Sequence, residues 1–424
     1  MSEFSLVPLE KLADIRMGQS PNSSFVQEGI ECGIPFLQGN GEFGVKYPEP
    51  KYCCTQPPKI AESGSSLISV RAPVGETNIA DQAYCIGRGL SAVKFHRYGE
   101  ILGREILSYR AKALETVSQG TTFAAIGGPD LRSLLVADIP AQESTVLESI
   151  LDTLDTQIQK TEALIAKLEK VKEGLLHDLL TRGIDENGQL RPSPEQAPEL
   201  YKESPLGLIP REWRVLPLGE VSEIVSGVTL GGKSGSSAWP LVPYLRVANV
   251  QDGYLDLSEV KLLRVSPADI DKYRLLPGDV LMNEGGDFDK LGRGTLWEGQ
   301  LELCLHQNHV FRVRPNSTLL SPHFLTAFSS SAIGKRYFIR SSKQSTNLAS
   351  INSTQLKAFQ VPIPATKEQD WIVAEMARAA SRVEREKECV DKAILQKTGL
   401  MDDLLTGRVR VTPLLDEARA TTPA

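Results

Sequence analysis

At 424 residues with 41% hydrophobic content, the chain has the length and apolar content for two or three cored domains, which excludes a disordered protein. Its apolar runs are short, Leu134 to Ala137 for instance, so no segment is expected to span a membrane, and the start Met1-Ser2-Glu3-Phe4 lacks the basic and apolar regions of a signal peptide. The net charge of −6 alone argues against a nucleic-acid ligand, and six scattered cysteines without CxxC spacing predict a soluble cytoplasmic protein without structural disulfides.

Residues 1–143 read as a mixed α/β (α+β) globule. Short β-branched and apolar runs, Ser66 to Val70 and Ala92 to Phe95, alternate with Gly, Pro and Asn turns, and Ile101 to Leu114 has a helical pattern. Gly39-Asn40-Gly41-Glu42-Phe43-Gly44 fits GxGxxG, but Val45-Lys46-Tyr47-Pro48 cannot supply the helix a dinucleotide site requires, so a turn is predicted. Gln56-Pro57-Pro58-Lys59 is not the (Asn/Asp/Ser)-Pro-Pro-aromatic loop of enzymes that methylate DNA bases.

Residues 144–182 form a long helix with a heptad seam through Leu147, Leu151, Leu154, Ile158, Ile165, Leu168, Leu175 and Leu179. Residues 183–214 are rich in proline and predict an exposed connector. A second globule follows over 215–365, with strand-like runs at Asp279 to Met282 and His309 to Val313 and a helical stretch at Pro322 to Ser331. Gly227-Val228-Thr229-Leu230-Gly231-Gly232-Lys233-Ser234 matches the phosphate-cradling GxxxxGK[ST] pattern, yet Gly235-Ser236-Ser237-Ala238-Trp239-Pro240 starts no helix to face an anion. Cys304, His306 and His309 suggest metal ligands only weakly, because on a strand the two histidines point to opposite faces. From Leu303 to Lys367 there is no acidic residue, while Arg312, Arg314, Lys335, Arg336, Arg340, Lys343, Lys357 and Lys367 give that stretch a charge of +8. A local basic face on an acidic chain neutralises phosphates as well as one on a basic chain.

A second long helix, 366–410, precedes a tail at 411–424 and copies the first at an offset of 225. Gly174-Leu175-Leu176-His177-Asp178-Leu179-Leu180-Thr181 returns as Gly399-Leu400-Met401-Asp402-Asp403-Leu404-Leu405-Thr406, and the seam returns as Ile372, Met376, Ala379, Val383, Val390, Ala393, Leu400 and Leu404. Polar interruptions coincide too, Thr161 with Glu386 and Lys172 with Lys397, as expected of two helices that pack in one register. The duplication reaches the globules. Val7-Pro8-Leu9 resembles Leu216-Pro217-Leu218, Gln119-Gly120-Thr121-Thr122 resembles Gln344-Ser345-Thr346-Asn347, and Ile139-Pro140-Ala141 resembles Ile363-Pro364-Ala365.

The connector Ser204-Pro205-Leu206-Gly207-Leu208-Ile209-Pro210-Arg211-Glu212-Trp213, the helix ends Leu179-Leu180-Thr181-Arg182-Gly183 and Leu404-Leu405-Thr406-Gly407-Arg408, and Asn283-Glu284-Gly285-Gly286-Asp287-Phe288-Asp289-Lys290-Leu291-Gly292-Arg293-Gly294 stand in an order that resembles the specificity subunit of a type I restriction-modification system. The resemblance covers nearly the whole chain. It implies two target-recognition domains, each reading half of an asymmetric split sequence in double-stranded DNA, separated by two helices in an intramolecular antiparallel coiled coil. It also implies a non-catalytic chain that docks two DNA methyltransferase subunits, and through them restriction/translocase subunits, with S-adenosylmethionine, ATP and Mg²⁺ on those partners and no cofactor, metal or membrane contact of its own. Base and phosphate contacts call for Arg, Lys, Asn, Gln, Ser and Thr side chains on loops. The candidates are Arg71, Thr77, Asn78, Gln119, Thr121, Thr122, Arg246, Asn249, Lys290, Arg293, Lys343, Gln344, Ser345, Thr346 and Asn347. Helix packing is assigned to Leu151, Leu154, Ile158, Ile165, Leu168, Leu175, Met376, Val383, Val390, Leu400 and Leu404. A subunit of a related bipartite system, a tandem coiled-coil adaptor that ignores DNA, and an NTPase using Lys233 are the other readings.

Overall fold

A computed structural model describes residues 3–31, 33–118, 125–229, 238–286, 291–292, 294–344 and 349–415. The two long helices run Ala141–Thr181 and Thr366–Thr406, 41 residues each. The chain divides across both of them: one unit is Met1–Leu164 with Glu386–Ala424, the other Ile165–Arg385. Each unit thus holds a globule, the opening half of one helix and the closing half of the other. Glu143 and Glu368 place a negative charge in the first turns, and Gly183 and Gly407 stop the helices with φ of 65° and 79°, a left-handed conformation that a side chain would strain.

In the first unit Asp155 meets Lys397 and Glu143 meets Arg410, so rising numbers on one helix accompany falling numbers on the other. In the second, Leu176 and Met376 line one groove, and Glu368 accepts from the backbone N–H of Ile184 at 3.0 Å. Both units pack their helices antiparallel. Leu151, Val383, Val390 and Leu404 are buried, and Leu154, Ile158, Ile165, Leu168, Leu175 and Met376 are partly so. Leu400 departs from the expected seam and is 38% exposed, because the inward face of the last turns is taken by Lys397, Met401, Leu404 and Leu405. The matched lysines part as well: Lys397 is partly buried against carboxylates, whereas Lys172 is exposed.

The globules share one plan. In the first, a four-stranded antiparallel sheet has the order Ala13–Met17, Leu90–Phe95, Ser66–Ser69, Thr77–Ile79; in the second the order is Ser222–Ser226, Val310–Pro315, Asp279–Asn283, Gly294–Trp297. A second sheet in each contains one parallel pair, Ile34–Leu37 with Tyr84–Ile86 and Leu241–Leu245 with Leu305–His306. The central strands are buried on both faces. The sheet of the first globule is covered by the helix Glu100–Ser118, that of the second by Pro322–Ser330 and Ala332–Ser341. Strands Leu6–Pro8 with Leu135–Ala137, and Arg214–Pro217 with Gln360–Ile363, close the base of each globule.

Two expectations are corrected. The proline-rich segment is no exposed connector: a hairpin, Tyr201–Ser204 with Gly207–Pro210, and the buried Ile184, Tyr201 and Trp213 fix it into the second unit. The indole N–H of Trp213 donates to Glu368 at 3.1 Å, and Arg191 pairs with the same carboxylate. Cys53, in a buried strand of the first globule, is disulfide-bonded, against the prediction of reduced cysteines throughout. Among the described residues no helix is long and apolar enough to cross a membrane.

Candidate nucleic-acid interface

At one edge of each globule the structure joins segments that the sequence singled out separately. In the first, the strand Ser66–Ser69 runs into a hairpin that is pinned by the Ser69 hydroxyl, which donates to the Pro73 carbonyl at 2.6 Å and accepts from the Glu76 N–H at 2.9 Å. The Val70 carbonyl accepts from the Ile126 N–H at 3.0 Å, and Arg71 bridges to Ala125. The exposed Arg71 therefore sits beside Ala125. In the second globule the Glu284 carbonyl accepts from the Ile351 N–H at 2.8 Å, and Gly285–Gly286, Ala349–Ser350 and Lys343–Gln344 form a small three-stranded sheet. Glu284 and Ile351 thus join at the place that Val70 and Ile126 hold in the first globule. Gln119, Thr121, Thr122, Lys290, Arg293, Ser345, Thr346 and Asn347 lie outside the described residues, and Lys343 and Gln344 are described by backbone alone.

Two other candidates are drawn inward. Asn78 is 2% exposed; its amide donates to the Gly44 carbonyl at 2.7 Å and its oxygen accepts from the Ile79 N–H. Asn249 is equally buried, donating to the carbonyls of Asp256 and Glu259 and accepting from the Arg246 N–H. Both amides are consumed in holding turns, which corrects their assignment to base contact. Arg246 leans on the Glu259 carboxylate at 3.5 Å. Thr77 lines a cleft beside Arg104 and Asp155 and not the loop edge.

The basic stretch also resolves into two kinds of residue. Arg312 is buried and donates to Glu223 at 2.8 Å and to the Lys272 carbonyl at 3.0 Å; Arg314 grips the buried Asp279 at 2.7 Å. These two arginines hold the sheet together. Burial, reinforced by Arg314, lowers the pKa of the Arg312 guanidinium. Arg336 and Arg340 are exposed, one turn apart on Ala332–Ser341, which leads directly into Lys343. Sequence reasoning left this pair out of the candidate set, although its four-residue spacing beside a polar loop is a readable signal. It missed Glu284 and His309 too, whose side chains meet at 2.6 Å on the same edge.

His306 is a core residue. Its Nδ1–H donates to the Val310 carbonyl at 2.7 Å and burial pushes its imidazole down to about 4. Among the described residues no three His, Cys, Asp or Glu side chains converge as metal ligands. Gly227 packs against the His306 carbonyl, where a Cβ would clash, so this glycine serves strand packing, and Lys233 lies outside the described residues. Asn40–Glu42 is the turn expected at GxGxxG.

Comparison with known proteins follows the same lines. Residues 210–388 match the family described as the type I restriction modification DNA specificity domain. A protein of Methanocaldococcus jannaschii named as the MjaX specificity subunit of a type I restriction enzyme is 38% identical over 175 residues, 41% of this chain and 41% of that one. The MjaVIII specificity subunit from the same organism is 26% identical over 344 residues, 76% of this chain and 74% of its own length. The chain therefore spans about two fifths of the first relative and about three quarters of the second. A solved chain from a type I restriction-modification system superposes with a TM-score of 0.63 at 16% identity, covering 96% of this chain and 99% of that one, a likeness of fold.

Proposed function

We propose that this chain is a specificity subunit of a type I restriction-modification system, and that its two globules each read one half of a split, asymmetric sequence in double-stranded DNA. The observation that carries the reading is the repeated edge. Val70 joins Ile126, and Glu284 joins Ile351, at the same place in two equivalent sheets. Duplicated scaffolds with divergent edge segments suit two readers of different half-sites. Arg336 and Arg340 supply phosphate contacts beside the second edge, which position the protein without selecting bases.

On this reading the chain performs no chemistry itself. Methyltransferase subunits dock largely through the helices and bring restriction/translocase subunits with them, and S-adenosylmethionine, ATP and Mg²⁺ belong to those partners. The paired helices fix the distance between readers, hence the unspecified gap between half-sites. Mapping methylated bases across the genome with and without the gene tests the whole proposal: one split motif disappears on deletion. An unchanged methylation map, together with no enrichment from a random duplex pool in the presence of the methyltransferase, would sink it.

A further inference from the structure

The opening half of Ala141–Thr181 carries three acidic side chains on one face, Glu148, Asp152 and Asp155. The first globule meets all three. Glu148 accepts from the Ile101 N–H at 3.1 Å, Asp152 pairs with Lys46 at 3.2 Å, and Asp155 pairs with Arg104 at 2.5 Å. At Asp155 the second helix joins them: Lys397 Nζ lies 2.6 Å from Asp155 and 3.0 Å from Glu105, which also pairs with Arg104. This quartet of two cations and two carboxylates has side-chain exposures between 4% and 17%. Burial works against the Arg104 charge, but Glu105 and Asp155 outweigh it and hold the guanidinium above its ordinary pKa.

The second copy has none of this. An offset of 225 carries Glu148, Asp152 and Asp155 onto Val373, Ala377 and Ala380, and Lys397 onto the exposed Lys172. Val373, Ala377 and Ala380 line a largely apolar cleft of about 690 Å³ with Leu176, Thr326 and Ala327, while the first unit's cleft of about 420 Å³ is lined by the quartet. Ionic groups taken out of water gain little stability over apolar packing of the same shape, and in some proteins what they add is one permitted arrangement. Two copies of a scaffold, one with an ionic tie at this place between globule and helix and one with an apolar cleft there, point to a demand on geometry at the first globule.

Resting on the split-site reading above, we propose that the acidic stripe and its quartet clamp the first globule at one setting on the helices of its own unit, and so fix where the first half-site must lie. A one-base-pair change in the gap displaces that half-site by about 3.4 Å and turns it by about 34°. A globule that rocks on its helices follows such a change; a clamped one does not.

Two measurements on the full chain test this. In the first, spin labels at the exposed Cys389 and at Lys51→Cys report the distance between helix and globule within the first unit. The distribution is narrow in the parent, broadens in Asp155→Ala/Lys397→Met, and stays narrow in Lys397→Arg. Should the double variant not fold, Asp152→Ala, at a half-exposed ion pair, gives the smaller broadening. In the second, with the methyltransferase present, duplexes carry both half-sites at the parent gap or one base pair more or less. The parent prefers its own gap by about tenfold or more, falling to about threefold in the double variant with the same bases read. An unchanged distance width overturns the clamp, and an unchanged gap preference overturns its role in spacing. A parent that selects no split sequence refutes the reading beneath it, while the distance width still judges the clamp.

Discussion

Glu143 and Glu368 occupy the same place near the start of each long helix, and each receives an arginine from the segment that follows the other helix, Arg410 and Arg191 respectively. An aromatic side chain completes both latches: Arg410 lies over the Phe4 ring, and Trp213 donates its indole N–H to Glu368. Truncating Glu368 to alanine strands a guanidinium and an indole N–H in the interior, so stability should fall by about 3 kcal/mol, read as a lower melting temperature; a change below about 0.5 kcal/mol would show that the latch contributes nothing. A second prediction concerns acid. The folded-state pKa of His306, about 4, lies below the ordinary value near 6.5, so the unfolded chain takes up the proton first. Stability from this residue is complete above about pH 6.5 and drains as pH falls towards about 4, by on the order of 3 kcal/mol. His306→Leu should flatten the melting profile over that range, and a parent profile flat between pH 7 and 5 contradicts the assignment. None of these roles was legible in the sequence. Arg191 and Arg410 stand at different distances beyond their helices, so no repeat alignment pairs them. Asn78 and Asn249 have the chemistry for reading a base and for holding a turn, and only burial tells which.

Among the elements, the long helices were legible because a heptad stripe repeats over dozens of residues, while the common order of the two four-stranded sheets was not. Their strands run three to six residues, too short for a pattern, and their pairing is set by contacts distant in sequence. The edge segments were legible by composition, since Gln119-Gly120-Thr121 and Gln344-Ser345-Thr346 repeat, but the hydrogen bonds that join Val70 to Ile126 and Glu284 to Ile351 were not. The helix Ala332–Ser341 carries the prediction that belongs here. Arg336 and Arg340 project from one face and end beside Lys343, a placement suited to two phosphates of the duplex. Replacing both by alanine should weaken binding to all sequences alike and lower the slope of log affinity against log salt by about 2. Affinity lost only for the specific sequence, with the slope intact, would instead make them base readers and refute the phosphate role.

Across the whole chain, a net charge of −6 coexists with a local basic helix, so on the proposed reading affinity for DNA depends on where charge is exposed and not on its sum. The helices make distance the other whole-molecule variable. Adding residues to one helix alone would slip its stripe past the other, so length must change in both together. Four residues inserted after Leu164 and four after Arg385, the points where the two units divide, lengthen each helix by about 6 Å and turn its far end by about 40° beyond a full turn. A base pair advances DNA by about 3.4 Å and about 34°. The rotation matches about one base pair and the translation about two, so the preferred gap should grow by one to two base pairs while both half-site sequences stay as they were. Selecting bound duplexes from a pool with variable gap and randomised half-sites reads both quantities at once. Altered bases at an unchanged gap would mean that the helices shape the readers and do not set their separation.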